Sequence, residues 1–475
     1  MKAILASLLV VAALLGLAGC GEEEAGPPER PLTSPTAGPA LPTTSPTAEP
    51  GLPTTSPTAE PVLPTTSPTP EPQPAEEGEV ARSEKPRATP SAAAEFDLAE
   101  LVAGNSAFAF DLYQALRGGE GNLFYSPYSI SQALAMTYAG ARGETKRQMA
   151  DTLGFTLHDD QLHPAFNALD LDIAHRGEGP DAREEERFQL NIANAMWGQK
   201  DYAFLPEFLD VLAQNYGAGM RLLDFVSAPE ESRLTINDWV SEQTERKIPD
   251  LIPQGIIDDL TRFVLTNAIY FNAGWLFPFE SQDTQEGSFY LLDGGEVTVP
   301  MMKQTQELAY AEGEGYEAIS LPYGLSGLAM VLLVPAAGQF EAFESSLNAD
   351  RVDAIVKGLG RWSVTLSMPK FDFESSFDLA ETLGTMGMPD AFTDRADFSG
   401  MNGRPELYIQ AVVHKAFISV DEEGTEAAAA TAVVGGVTSM PEHVDLTIDR
   451  PFIFLIRDTD TGAIMFLGRV LNPMA

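Results

Sequence analysis

Cysteine occurs once in the 475 residues, at Cys20. One thiol cannot build an intrachain disulfide framework or a multi-thiolate metal site. Histidine is nearly as scarce: His158, His163, His175, His414 and His443 are spread thinly, and no HExxH pairs two of them. Basic residues are outnumbered, with 29 Lys and Arg against 69 Asp and Glu, for a formal charge of −40. Such a chain repels phosphate backbones, which argues against nucleic acid as a partner. GxSxG, Walker-type and GxGxxG loops are also missing. Carboxylates are so abundant that choosing one acid–base pair among them would be arbitrary. The sequence therefore offers no nucleophile–base arrangement for a hydrolase. The spacing in HDDQLH (158–163) matches no metal motif and reads as an exposed polar turn. His414 lies in the apolar stretch VVHKAFISV and reads as a hydrogen-bonded core residue.

Long apolar runs are short of what a membrane span needs. Ala3 to Leu17 is broken only by Ser7 and Gly16 and follows the basic start Met1-Lys2. That length suits the hydrophobic region of a signal peptide rather than a transmembrane helix. The run ends in Leu17-Ala18-Gly19-Cys20, followed by Gly21 and Glu22 to Glu24. This resembles a bacterial lipoprotein signal, in which Cys20 is lipidated and residues 1–19 are removed; an ordinary signal peptide containing a cysteine is the other reading.

What is abundant comes next. Of 35 prolines, 18 fall within residues 21–95. An eleven-residue unit recurs as LPTTSPTAEPG (41–51), LPTTSPTAEPV (52–62) and LPTTSPTPEPQ (63–73), after a shorter LTSPTAGPA (32–40). Proline at this density blocks helix and ladder hydrogen bonds and favours extended polyproline II, at ~3.1 Å per residue. Residues 20–95 thus read as a disordered Pro/Thr/Ser-rich repeat linker, a stalk whose Thr and Ser are candidate O-glycan sites. Recognition of its PxxP spacing by a partner is the competing reading. Residues 1–95 hold 5 basic and 12 acidic side chains, so most of the negative charge, −33, belongs to the remainder.

Residues 96–475 are long enough for a substantial core. Leu101, Phe108, Leu112 and Leu116 share one helical face before Gly118-Gly119. A second helical stretch is predicted from about Ser129 to Leu153, ended by Gly154. Phe263 to Phe271 and Leu328 to Val334 read as strands buried on both faces. Val364, Leu366 and Met368 alternate with polar residues, as in a half-buried strand. Phe452–Ile456 and Ile464–Leu467 flank DTDTG as a hairpin. Helices come first and strands later, which predicts an α+β domain without internal linkers.

Residues 421–440, DEEGTEAAAATAVVGGVTSM, stand apart. As a helix the stretch would be weakened by β-branched residues and Gly435-Gly436. As a strand, Thr425, Ala427, Ala429, Thr431 and Val433 would share a face free of charge, bulk and proline. Such a face can slip between existing strands at little steric or desolvation cost. A mobile linker is the bland alternative.

At these residues the chain resembles the serpins. EEGTEAAAATAV (422–433) is close to the hinge signature of inhibitory members. NLFYSPYSISQALAMTYAGARGET (122–145), TNAIYFNAGWLFPF (266–279), VPMM (299–302), LSMPKFDFE (366–374), AVVHKAFISVDEEGTE (411–426) and RPFIFLIRDTDTGAIMFLGRVLNP (450–473) follow in family order. The resemblance covers 96–475. It implies the serpin fold, helices packed around three β-sheets with an exposed reactive-centre loop. It also implies a protease inhibitor rather than an enzyme, monomeric and without cofactor or metal. The loop would span 424–440, with a hinge at Glu422, Gly424, Thr425, Ala427, Ala429 and Thr431. Counting from the hinge places the reactive bond at Thr438–Ser439, with Val437–Thr438 and Ser439–Met440 as the alternatives. Thr after Val suits an elastase-like or subtilisin-like serine protease, with a cysteine protease as a further candidate. No Lys or Arg lies between Lys415 and Arg450, which disfavours a trypsin-like target. Ser126, Ser129, Asn267 and His414 match the family's shutter; Trp275, Lys370 and Glu422 match its breach, with a Lys370–Glu422 ion pair expected. HDDQLH and DAREEER stand where some relatives carry a basic helix, so no heparin-type cofactor is expected. The combined expectation is an inhibitor at the cell surface, lipid-anchored to the outer face of the cytoplasmic membrane. A non-inhibitory serpin serving as a surface structural or carrier protein is the alternative.

Overall fold

The computed structural model describes residues 79–176, 189–324, 326–425 and 442–475. Chain before residue 96 is already part of the fold, so the expected linker ends earlier than residue 95. Val80–Ala81 (β1) adds to a sheet edge, and Ser91 caps helix Ala92–Leu116 (α1) by accepting from the Ala94 amide at 3.2 Å. Leu101, Phe108 and Leu112 bury their shared face as the spacing predicts. After Leu123–Tyr125 (β2), the helical stretch expected at 129–153 proves to be two helices, Pro127–Tyr138 (α2) and Gly143–Leu153 (α3). Two glycines lie at the break. A Cβ on Gly140 would lie 2.2 Å from Met401 Cγ, and Gly143 takes a φ of +53°. Gly154 then ends α3 in the left-handed conformation.

Asp159–Arg176 (α4) follows, so HDDQLH opens a helix rather than an exposed turn. His158 is exposed, but His163 is buried, with its Nδ1 2.7 Å from the Tyr216 hydroxyl. The reason is helical spacing, which turns His163 inward beside buried Leu162 and Phe166. Next come Gln189–Gln199 (β3), Pro206–Tyr216 (α5), Met220–Leu223 (β4), Pro229–Gln243 (α6) and Phe263–Gly274 (β5). Strands Gln285–Tyr290 (β6), Glu296–Gly313 (β7), Tyr316–Tyr323 (β8) and Leu328–Pro335 (β9) precede helices Phe340–Ser345 (α7) and Ala349–Lys357 (α8). Gly360–Pro369 (β10), Phe371–Asp378 (β11), Ala380–Met386 (α9), Ser399–Asn402 (α10) and Ala411–Val420 (β12) lead to Gly424–Thr425 (β13). His443–Thr447 (β14), Phe452–Asp458 (β15) and Ile464–Val470 (β16) close the chain, the last two forming the expected hairpin.

Hydrogen bonding joins the described strands into a seven-stranded sheet, β1-β4-β3-β5-β13-β12-β11, and a nine-stranded one. In the second, the 18-residue β7 pairs with β6 over Glu296–Met301, with β10 over Met301–Tyr310 and with β8 over Ala309–Gly313, which joins these strands into a single sheet where the expectation was of three sheets in all. Strand alternation splits the core of the first sheet. On β5, Leu265, Ile269 and Phe271 enter the large core, whereas Val264 and Ala268 enter a smaller one with Ile236 and Val240 of α6. Asn267 has the parity of the large-core residues, and this positions the site.

Candidate functional site

Two polar clusters occupy this sheet, one at its middle and one at its head. At the middle, register places Asn194 of β3 and His414 of β12 on either side of Asn267 of β5. The N-terminus of α2 approaches this row. Ser126 caps the helix, its Oγ accepting from the Ser129 amide at 3.1 Å and donating to the Met465 carbonyl at 2.6 Å. The Ser126 amide donates to His414 Nε2 at 3.2 Å. His414 Nε2 is thereby an acceptor, so Nδ1 carries the proton and donates to Asn267 Oδ1. Asn267 Nδ2 donates to Ser129 Oγ at 2.7 Å and to Asn194 Oδ1 at 2.5 Å. Ser126, Ser129, Asn267 and His414 are all fully buried. Desolvation, only partly opposed by the hydrogen bond with Asn267, lowers the His414 pKa to about 3. The imidazole is a neutral link between strands.

Asn194 was not anticipated from the sequence, although a polar residue amid Ile192, Ala193, Ala195 and Met196 is a usable signal once the register is known. The network extends further. Asn194 Nδ2 donates to Gln132 Oε1 at 3.0 Å, and Gln132 Nε2 donates to Asp170 Oδ1 at 3.0 Å.

At the head, β5 and β12 part. Below, they pair directly and in parallel from Ala411↔Val264 to Phe417↔Tyr270. Above, β13 lies between them, antiparallel to both, through Thr425↔Ala273, Gly424↔Gly274 and Val420↔Thr425. Gly424 is required by proximity: a Cβ there would stand 2.2 Å from the Ala273 carbonyl oxygen and 2.7 Å from Gly274 Cα. Thr425 is 1% exposed, and its hydroxyl is 2.6 Å from that of Tyr323. Tyr323 stacks on Trp275, with centroids 4.5 Å apart. Trp275 holds the chain entering the hinge: its amide donates to Glu423 O at 2.9 Å and its indole to Asp421 O at 3.0 Å. Lys370 donates to Glu422 Oε2 at 2.5 Å, and Thr284 donates to Oε1 at 2.7 Å. Burial pushes the Glu422 carboxyl up, but these two bonds outweigh it and hold the group below its ordinary value.

The structure therefore gathers Trp275, Lys370, Glu422, Gly424 and Thr425 at one place, and Ser126, Ser129, Asn267 and His414 at another. Tyr323 and Thr284 were missed by sequence reasoning. Ala427, Ala429, Thr431, Thr438, Ser439 and Cys20 lie outside the described residues. Among the described residues, no group of three or more His, Cys, Asp or Glu is placed to hold a metal ion.

A family model described as serpin (serine protease inhibitor) matches residues 103–473. The chain belongs to the serpin family. This is a family of protease inhibitors rather than enzymes. The serpin is 40% identical to an uncharacterized serpin-like protein of Thermococcus kodakarensis, over 78% of this chain and 86% of that one. It is equally 40% identical to leukocyte elastase inhibitor of Sus scrofa, over 79% of this chain and all of the relative. Among solved structures, uncleaved ovalbumin is similar with a TM-score of 0.70 and 25% identity, covering 79% of this serpin and 100% of ovalbumin. The fold is thus the α+β serpin fold with its large mixed sheets.

Proposed function

We propose that this serpin is a suicide inhibitor of serine proteases of elastase-like or subtilisin-like specificity. The observation that carries the reading is the seat of Gly424–Thr425 at the head of the gap between β5 and β12. The protease serine oxygen bonds to the carbonyl carbon of Thr438, and the peptide C–N bond to Ser439 breaks. Ser439 leaves as a new amino terminus, taking the proton held by the protease's general base. The freed strand then continues the course that β13 has begun; serpin loop insertion is a named example of this kind of strand addition. Insertion exchanges one parallel ladder, β5–β12, for two antiparallel ones, which are more stable per residue. Ala427, Ala429 and Thr431 share the parity of Thr425 and would be buried on the same face. Ser126, Ser129, Asn267 and His414 act as the shutter that must open, and Trp275, Lys370 and Glu422 as the breach where entry starts. Inhibition is a race between insertion and deacylation. A lipid at Cys20 would hold the inhibitor at the outer face of the cytoplasmic membrane, spaced from it by the repeats.

The test mixes the protein with elastase, subtilisin and trypsin and examines the products on denaturing gels. Covalent complexes with the first two and none with trypsin are expected. Cleavage without a complex for every serine and cysteine protease tried would overturn the inhibitory reading. The mass of the released C-terminal peptide identifies the reactive bond.

A further inference from the structure

The chain entering the domain is fastened to the polar row that must break for the sheet to open. Residues 79–90 run along the sheet edge and α5. Val80 and Ala81 pair with Arg221 and Met220 of β4, and the Ala88 amide donates to Gln214 O at 2.8 Å. Ser83 and Lys85 both bond Asp210, at 2.6 and 2.7 Å. Arg87 points inward instead. Its Nε donates to Asn167 Oδ1 at 2.8 Å and its Nη2 to Asp170 Oδ2 at 2.5 Å. Asn167 returns a bond from Nδ2 to the Ala88 carbonyl at 2.8 Å, closing the clamp.

Asp170 is where the two systems meet. One carboxylate oxygen takes Arg87, while the other accepts from Gln132 at 3.0 Å and from the Tyr128 hydroxyl at 3.0 Å. Gln132 then holds Asn194, and Asn194 holds Asn267, whose other end holds His414 across the β5–β12 seam. The chain from Arg87 to His414 has no gap, and it ends on the hydrogen bond between Asn267 and His414 that strand insertion must break. Arg87 is half-buried and its fork spans two partners, so its orientation is well defined.

We propose that residues 79–90 form a strap that locks the sheet closed through Arg87 and Asp170, and that releasing the strap lets the loop enter the sheet without any protease. Spontaneous entry consumes the bait. An inhibitor cut from its repeats within the strap would therefore disarm itself, which confines activity to the intact chain. The proposal rests on the reading that the loop inserts, but not on which protease is inhibited.

The test uses the full chain and reads conversion to the loop-inserted form directly, as the fraction of soluble monomer that resists heat and urea after timed incubation. Arg87→Ala is expected to convert roughly tenfold faster than the parent, as loss of a charge-assisted bond implies. Arg87→Lys should restore part of the difference. Lys85→Ala loosens the strap at Asp210 without touching Asp170 and should convert at close to the parental rate. Arg87→Ala converting at the parental rate would overturn the proposal, as would equal acceleration by Lys85→Ala, which would make the strap a mere edge strand. Should Arg87→Ala fail to fold, Gln132→Leu, which breaks the chain one step further in, is expected to show the same acceleration. Failure to trap any protease bears only on the inhibitory reading, because conversion is measured without one.

Discussion

His414 and His163 are imidazoles held neutral by burial, at about 3 and about 4 respectively. Unfolded histidine titrates near 6.5, so between these values the unfolded chain binds more protons than the folded one. Stability therefore falls as pH drops below about 6.5, by about 1.4 kcal/mol per pH unit for each residue. Denaturant midpoints at pH 6.5 and pH 5 should reveal this slope, and His414→Gln should remove about half of it. Glu422 contributes only lower down, since its lowered carboxyl loses stability as pH falls below the ordinary carboxylate range. Gly424 makes a steric prediction. Gly424→Ala places a methyl against backbone atoms that cannot rotate away. The hinge should leave the head of the sheet, and the Trp275 amide, bonded to Glu423 O, should lose protection from hydrogen exchange. Unchanged protection would refute the close-approach argument. These residues differ in how readable they were. His414 already looked like a bonded core histidine from its apolar surroundings, whereas His163 was misplaced because three polar neighbours hid its helical phase.

β5 and β12 are the elements that separate in the proposed mechanism, and β13 already pairs with both of them at the head of the sheet. In that mechanism the antiparallel direction of the added strand would favour the exchange, and a small, uncharged face would permit it. Thr425→Arg puts a long cation where a 1% exposed hydroxyl meets Tyr323. An unpaired buried charge costs on the order of several kcal/mol, which is expected to slow insertion relative to deacylation. The variant should be cleaved by elastase without forming a gel-stable complex; retention of the complex would show that the buried face does not control the race. At this scale β5, β9, β10, β15 and β16 were legible, since Phe263 to Phe271, interrupted only at Thr266 and Asn267, and Leu328 to Val334 are otherwise apolar runs. The division of α2 from α3 was not, because the close approach of Met401 to Gly140 in the break joins residues remote in the chain.

At the scale of the whole molecule, the hinge residues Gly424–Thr425 sit at the head of the seven-stranded sheet and the segment around Val80–Ala81 pairs at its edge. Cleavage within 426–441 should raise the denaturation temperature well above that of the intact chain, measured by circular dichroism. No rise would mean that the cut strand stays outside the sheet. If Cys20 is the anchor, the expressed protein should partition with membranes or detergent, and Cys20→Ser should move it to the aqueous phase. The family, the proline-rich repeats, the lipoprotein-like motif ending at Cys20 and the hinge composition were legible in the sequence itself, because each is written in contiguous residues or in local periodicity. The polar row was half-visible: Ser126, Ser129, Asn267 and His414 sit in recognisable blocks, but Asn194, Gln132, Asp170 and Arg87 do not. Only the tertiary structure decided that these eight form one connected system. Their connection depends on strand register and on the facing of α2 and α4, which join residues up to about 300 positions apart through distances of a few ångströms. The same holds for Gly424, whose necessity arises from the Ala273 carbonyl across the ladder.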